Sequence, residues 1–138
     1  MSTRLAFTIP LPPITKKNSQ QIAINRKTGR PFVTPSKKYK EYERDALLYI
    51  RHVLPFKVEP PVNVKCLFYM PTRRAVDLNN LLEAATDVLV HTGIIEDDNC
   101  RIVAAHDGSR VFYDKANPRT EITITKLPAP EQLTMEEI

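Results

Sequence analysis

The chain has 138 residues, of which 42% are hydrophobic and 26% charged, a size and composition typical of one domain with a modest core. No apolar run approaches the roughly 18 residues of a membrane span, and no charged and then apolar leader opens the sequence. Only two cysteines are present, which disfavours a disulfide framework, and they cannot form a four-ligand zinc site without histidines, whose three positions lack metal-ligand spacing. We therefore expect a soluble cytoplasmic domain.

Charge is distributed unevenly along the chain. Residues 1–74 hold 15 lysines and arginines against 4 acidic residues, whereas residues 75–138 hold 5 against 12. A cationic half suits a polyanion, because each phosphate that it neutralises releases condensed counterions. An acidic half suits carboxylates that gather around a metal ion. The alternative is that both halves carry ordinary solvated charge.

The first half of the chain predicts a strand, a hairpin and a helix. Alternating apolar and polar residues predict the strand over Arg4–Pro10, closed by a rigid proline segment. Ile22–Asn25 and Phe32–Thr34 predict a hairpin whose basic loop takes its positive φ from Gly29. Ser36 suits a helix N-cap, and the apolar spacing after it predicts an amphipathic helix of roughly 18 residues.

A second helix is predicted from Asp77 to about His91, with Gly93 ending it. Six of its apolar residues fall within an arc of about 120° at 100° per residue, which indicates a stripe that faces the core. The stripe comprises Leu78, Leu81, Leu82, Ala85, Val88 and Leu89. The opposite, wetter side carries Asn79, Asn80, Glu83, Asp87 and His91.

Three further strands are predicted over Val62–Met70, Arg101–Ala105 and Thr120–Thr125. Strands and helices interleave without a regular βαβ period, so the predicted fold class is α+β, with a mixed sheet packed against two main helices. We expect one domain over residues 1–126 and a C-terminal tail over residues 127–138, which contain two prolines and three glutamates.

The acidic residues concentrate around the second helix. Asp77-Leu78-Asn79-Asn80 opens it and Glu96-Asp97-Asp98-Asn99 follows it. A helix of about 15 residues spans roughly 22 Å, so the two groups meet only if the chain folds back after Gly93 or if a second subunit brings them together. Carboxylate and amide oxygens are the donors that Mg²⁺ prefers in sites that hydrolyse phosphodiesters. The alternatives are that Asp77 is only an N-cap and that the second group is only a turn.

Basic residues of the first half form a second candidate site. They lie on predicted loops and helix starts, and as a set they predict a surface that contacts phosphates, although each one alone suits plain solvated charge. The set is Lys16, Lys17, Arg26, Lys27, Arg30, Lys37, Lys38, Lys40, Arg73 and Arg74. The sequence has no P-loop, no paired-glycine nucleotide fingerprint and no nucleophile elbow.

The second helix and the turn after it resemble the RusA family of Holliday-junction resolvases, metal-dependent endonucleases of bacteria and their phages. The family pattern is Asp-Leu-Asp-Asn-Leu-x-Lys-Ala-x-x-Asp-Ala-Leu, a short gap with Gly, then Asp-Asp. The run from Asp77 to Leu89, then Gly93 and Asp97-Asp98, is similar to it. Ile9-Pro10-Leu11-Pro12-Pro13, followed by the basic hairpin and helix, extends the similarity over roughly residues 4–125.

The resemblance implies a symmetric homodimer whose two Mg²⁺-dependent sites, with Mn²⁺ as an alternative ion, nick opposed strands of a four-way DNA junction in recombination and repair. Asp77 matches the first essential carboxylate and Asp98 the last, with Asp97 as its acidic neighbour. Asn80 matches the amide after the second aspartate. With these matches, our hypothesis takes Asp77, Asn79, Asp97 and Asp98 as metal ligands, and Asp77, Asn79, Glu83 and Asp98 as the catalytic set.

Two positions depart from the family pattern within the catalytic motif. Asn79 stands where the second metal-binding aspartate is expected, and Glu83 stands where a functional lysine is expected. Because positions 79 and 83 are i,i+4 neighbours on one helix face, the carboxylate has either moved one turn along or been lost. The first case predicts an active nuclease, and the second a catalytically weak or inactive protein that binds branched DNA. A deliberate inactivating substitution at 79 is a third explanation, but it leaves Glu83 unexplained.

Overall fold

A computed structural model describes residues 3–16, 20–35, 37–54 and 57–128. In chain order the elements are β1 (Arg4–Ile9), β2 (Gln20–Ile24), β3 (Pro31–Pro35), α1 (Lys37–Ile50), β4 (Val62–Met70), α2 (Leu78–Thr92), β5 (Val103–Ala105), β6 (Arg110–Tyr113) and β7 (Arg119–Lys126). The predicted α+β class is confirmed. Neither helix in this part of the chain is both long and apolar enough to cross a bilayer.

Five of the strands form a mixed sheet organised around β4. β7 lies between β1 and β4 and runs antiparallel to both. The other edge of β4 pairs in parallel with two short strands, β5 near its start and β6 near its end. Parallel pairing follows from the crossover through α2, which carries the chain back to the beginning of β4. β2 and β3 form a separate antiparallel hairpin.

Between β5 and β6, side chains rather than a strand contact the backbone groups at the edge of β4. The Cys66 amide donates to Ser109 Oγ at 3.0 Å, and His106 Nδ1 lies 2.9 Å from the Val64 carbonyl oxygen. In the same connection Gly108 has a φ of +86°, and a Cβ added there would lie 2.8 Å from Lys65 Cδ. This position therefore requires glycine for both its conformation and its space.

The core lies between one face of the sheet and the two helices. Alternate residues of β4 point into the core, and this alternation is the pattern from which the sequence predicts the strand. The fully buried side chains of the core include Val62, Val64, Cys66, Phe68, Ile122, Ile124, Ala46, Ile50, Leu81, Val88 and Leu89. Burial of each large aliphatic or aromatic side chain among them stabilises the fold by about 1.5–3 kcal/mol.

α1 is shorter than predicted. It ends at Ile50, whose carbonyl accepts hydrogen bonds from the amides of Val53 and Leu54, so the chain turns where the apolar spacing would have continued the helix. The predicted N-cap of this helix, Ser36, lies outside the described residues.

The strands after α2 also differ from the prediction. The strand expected over Arg101–Ala105 begins only at Val103, because the amides of Ile102 and Val103 both donate to the Asn99 carbonyl and hold the preceding residues in a turn. β6 is not among the predicted strands. It is short and becomes a strand by pairing with the end of β4.

The end of β7 is joined by an ion pair and a hydrogen bond to the segment that precedes β4. Lys126 Nζ lies 2.8 Å from the Glu59 carboxylate, which lowers the pKa of Glu59, and the Leu127 amide donates to the Pro61 carbonyl. The predicted tail over residues 127–138 starts at this contact, and residues 129–138 lie outside the described ranges. The division at residue 126 stays a prediction.

The two cysteines differ in accessibility. Cys66 is fully buried on β4 and its burial raises the pKa of the thiol to about 12, whereas Cys100 is exposed. Since the thiolate is the reactive form, we expect Ellman's reagent to label one cysteine in the native protein and both after unfolding in guanidinium chloride. A Cys100→Ser variant should then give no native labelling. Labelling of that variant before unfolding would contradict the packing of β4.

Candidate active site and nucleic-acid interface

The N-terminus of α2 carries the first group of predicted site residues. Asp77 is the N-cap, with φ −82° and ψ 118°, and its Oδ1 accepts a 2.8 Å hydrogen bond from the Asn79 amide. Asp77 is therefore an N-cap, and a metal-binding role for the same carboxylate stays a prediction. The cap also holds this carboxylate at the positive end of the helix dipole, where negative charge is stabilised. Asn79 and Glu83 are both exposed, one helical turn apart.

The second acidic group forms a tight exposed turn. Asp97 accepts hydrogen bonds from the Asp98 amide at 2.8 Å and from the Asn99 side-chain amide at 3.0 Å, and these two donors lower the pKa of Asp97. Asn99 Oδ1 accepts in turn from the Arg101 amide at 3.0 Å. The segment is therefore a turn, and its hydrogen bonds keep Asp97 ionised and fixed in direction. A metal-binding role for Asp97 and Asp98 stays a prediction.

The two acidic groups lie at opposite ends of α2. Asp77 caps its start, and Gly93 ends it with a φ of +85° before the acidic turn. The turn is anchored at the beginning of β4, because Asn99 accepts from the Val103 amide and Val103 pairs with Val62. The helix of 15 residues spans about 22 Å at 1.5 Å per residue. The chain therefore does not fold back to bring the turn to Asp77.

The donor chemistry of these residues fits magnesium, but their arrangement in one chain does not. Carboxylate and amide oxygens from Asp77, Asn79, Asp97 and Asp98 are hard ligands of the kind that Mg²⁺ takes. Across residues 3–16, 20–35, 37–54 and 57–128, no group of three or more His, Cys, Asp or Glu side chains is placed to hold an ion. One chain alone does not assemble the predicted metal site, and the roles of its residues stay predictions.

Lys16 has a structural role that the sequence did not indicate. Its Nζ lies 2.8 Å from Asp87 Oδ2 in a half-buried ion pair, and it also lies 5.4 Å from the centre of the Tyr39 ring. Tyr39 Oη donates to the Ala84 carbonyl at 3.5 Å. These contacts join the segment after β1, the first turn of α1 and the middle of α2. No local pattern connects positions 16 and 87, because the pair is formed only by the fold.

The other basic residues of the predicted DNA surface lie in three exposed places. Arg26, Lys27 and Arg30 occupy the tip of the β2–β3 hairpin, and Lys37, Lys38 and Lys40 lie in the first turn of α1. Arg73 and Arg74 lie in the loop between β4 and α2, shortly before Asp77. The Arg73 guanidinium lies 4.3 Å from the centre of the Tyr113 ring. Lys17 lies outside the described residues.

An arginine–aromatic row on the sheet face away from the helices was missed by the sequence analysis. The Arg119 guanidinium lies 3.7 Å from the centre of the Tyr69 ring, which stacks on Phe112 at 5.0 Å between centroids. The Arg119 guanidinium also forms ion pairs with Asp114 Oδ2 at 2.9 Å and with Glu121 Oε2 at 2.7 Å. Its hydrogen bond to Asp114 lowers the pKa of that carboxyl. The adjacent aromatic residues Phe112 and Tyr113 in β6 were the sequence feature that could have indicated it.

Comparison with protein families matches the chain to the family model described as Endodeoxyribonuclease RusA, over residues 10–125. The matched region includes the basic hairpin, both helices and both acidic groups. Comparison with curated proteins gives no significant match. The match thus covers most of the chain and every candidate site residue described above.

Proposed function

This chain belongs to the RusA family of endodeoxyribonucleases, and on that basis we propose that it resolves four-way DNA junctions by paired, Mg²⁺-dependent nicks. Two features of the chain and one of the DNA support this. The acidic groups offer oxygen donors for a divalent cation, the exposed cations of the hairpin and of the loop before α2 suit phosphates, and a junction presents two strands related by symmetry.

The observation that carries the proposal is the separation of the acidic groups along α2. A carboxylate pair useful to one metal ion has to be within a few ångströms, and α2 keeps Asp77 away from Asp98 in its own chain. Two copies related by a two-fold axis, with their α2 helices antiparallel, bring Asp77 of one chain toward the partner's Asp98. Two equivalent composite sites then result.

In this arrangement the residues have distinct tasks. Asp77, fixed by its cap, and the partner's Asp98 would hold the ion, with Asn79 or Glu83 supplying a further oxygen. The bound cation supplies water activation and stabilises the leaving oxygen of the phosphodiester. Arg73 and Arg74 are close in sequence to Asp77 and would hold the phosphates on either side of the scissile bond.

A subunit-mixing experiment tests the composite site. Asp77→Asn and Asp98→Asn homodimers should each fail to cleave a synthetic four-way junction in Mg²⁺. After subunit exchange, a mixed dimer contains one composite site with both substitutions and one with neither, so nicking should return to about a quarter of the wild-type level. Because each mixed dimer has only one intact site, the product should be singly nicked junctions rather than resolved duplexes.

The alternative outcomes of this experiment are informative. If each site is built within one chain, every site in the mixture carries a substitution and no activity returns. If wild-type protein binds the junction but cleaves it in neither Mg²⁺ nor Mn²⁺, the second candidate function holds, namely a branched-DNA-binding protein without nuclease activity. The residues that favour this second candidate are Asn79 and Glu83, which replace a metal-binding aspartate and a functional lysine.

A further inference from the structure

The β2–β3 hairpin exposes three large apolar side chains. In the described part of the chain six large hydrophobic residues are exposed, and three of them lie on this hairpin. Ile22 is 74% exposed, Ile24 is 68% exposed and Phe32 is 47% exposed. Single exposed apolar residues are ordinary, but apolar residues grouped on one small element indicate an interaction surface.

The strand register shows how these side chains are presented. Ile22 and Ile24 are two residues apart on β2, so they share one face of the hairpin and lie about 7 Å apart. Phe32 pairs with Ala23 and therefore lies on the opposite face. No strand of the five-stranded sheet pairs with this hairpin within the described residues. Since an isolated two-stranded hairpin is only marginally stable, a partner on this surface would stabilise it.

The tip of the hairpin is an ordered, cationic turn. Asn25 Oδ1 accepts from the Lys27 and Thr28 amides at 2.9 and 3.3 Å, and the Asn25 amide donates to the Arg30 carbonyl at 2.9 Å. Gly29 provides the φ of +70° that this closure needs. The turn thus holds Arg26, Lys27 and Arg30 just beyond the apolar pair, on the same hairpin.

The charge of this element selects its partner. Residues 1–40 contain no aspartate or glutamate, and the hairpin itself carries three cations. Pairing with the same hairpin of a second copy would bring like charges together, which is unfavourable. DNA offers phosphates for the tip, but the faces of its bases are covered by stacking in a continuous duplex. At a branch point the stacking is interrupted, so base faces become available to apolar side chains at a lower unstacking cost.

We infer that Ile22 and Ile24 form an apolar wedge that enters the branch point of a DNA junction while Arg26, Lys27 and Arg30 bind the flanking phosphates. This inference rests on the proposed function and assigns to the hairpin the discrimination between branched and linear DNA. The cations contribute affinity for any DNA, and the wedge adds affinity only where bases are unstacked.

The test measures binding of the full-length protein to a four-way junction and to a linear duplex of equal length, in EDTA to prevent cleavage. Ile22→Ser/Ile24→Ser should weaken junction binding roughly tenfold or more, as expected when two aliphatic side chains lose their contacts, and leave duplex binding unchanged. A 2-aminopurine base at the branch point should brighten on binding of wild-type protein and not on binding of this variant.

Three further variants serve as controls. Leu48→Ser removes a 54% exposed leucine from α1 and should change neither affinity. Arg26→Ala/Lys27→Ala should weaken binding to both DNAs equally and reduce the salt dependence of each. Ile22→Leu/Ile24→Leu should retain the selectivity of the wild type. Equal thermal unfolding midpoints for all the variants show that the hairpin substitutions leave the core intact.

The outcomes distinguish failure of the proposed function from failure of the apolar wedge alone. A wild-type protein that neither prefers nor cleaves junctions overturns the proposed function and the wedge with it. A wild-type protein that prefers junctions, combined with an unchanged preference in Ile22→Ser/Ile24→Ser, overturns the wedge alone. Sedimentation in which the serine variant becomes monomeric while the wild type is dimeric also overturns it, because the surface is then a contact between subunits.

Discussion

Glu83→Gln is expected to lower Mg²⁺-dependent cleavage of a four-way junction by on the order of 10²–10³-fold, as are Asp77→Asn and Asp98→Asn. Each change removes one negative charge from a site that holds a divalent cation, while the size of the side chain is kept. Junction binding in EDTA should survive or improve, because repulsion between the carboxylate and the phosphates is relieved. Single-turnover cleavage rates at saturating protein measure the effect.

The matched control is Glu41→Gln, the same chemical change on the other helix, which should leave the cleavage rate unchanged. Asn79→Asp with Glu83 intact should tighten Mg²⁺ binding in calorimetry, because an added carboxylate increases the negative charge of the site. If Glu83 instead has no contact with the ion, Glu83→Gln will cleave normally, and Asn79→Asp combined with Glu83→Lys will activate a weak nuclease. That pair of results would favour the branched-DNA-binding protein.

Junction affinity is expected to fall on the order of 10³-fold as salt rises from about 50 to about 200 mM, if six or more phosphates are contacted. Arg26→Glu/Arg74→Glu should lower both the affinity at low salt and the slope of log Kd against log salt, because these exposed cations lie at two of the proposed contact places. Lys16 is not a suitable position for this test, because its reversal would break the ion pair with Asp87.

The control for net charge is Arg101→Glu/Lys115→Glu, which changes the total charge equally but lies in the acidic half of the chain, where both side chains are exposed. It should keep the wild-type slope. Fluorescence anisotropy of a labelled junction over a salt series measures both quantities. Equal slopes for the two double variants would mean that total charge, and not this surface, determines binding.

The elements that the sequence predicts well are those defined by local chemistry. β4 was predicted with its observed bounds, since alternation of buried residues and Pro71 fix both the strand and its end. α2 was predicted from its apolar stripe, the cap at Asp77 and the left-handed residue Gly93. In each case the determining interactions lie within a few residues of one another along the chain.

The features that were missed depend on contacts between distant residues. β6 has a short apolar run that becomes a strand because the end of β4 is available for parallel pairing. The ion pair of Lys16 and Asp87 and the stacking of Arg119 on Tyr69 arise from the fold in the same way. For the candidate site, the sequence predicts the residues and two ways of bringing the acidic groups together: the chain folds back after Gly93, or a second subunit supplies one group. The course of the chain after Gly93 in the structure disfavours the first way.

The position of β7 between β1 and β4 has a consequence for the order of events during synthesis. Ile9 pairs with Thr120, so the first described strand has to wait for the last one before it acquires a partner. On the ribosome, α1, β4 and α2 emerge while Leu5, Phe7 and Ile9 still lack the strand against which they pack. Contacts of such high sequence separation form slowly and leave apolar strands exposed in the meantime. The nascent chain therefore closes its sheet only when residues 119–126 emerge from the ribosome.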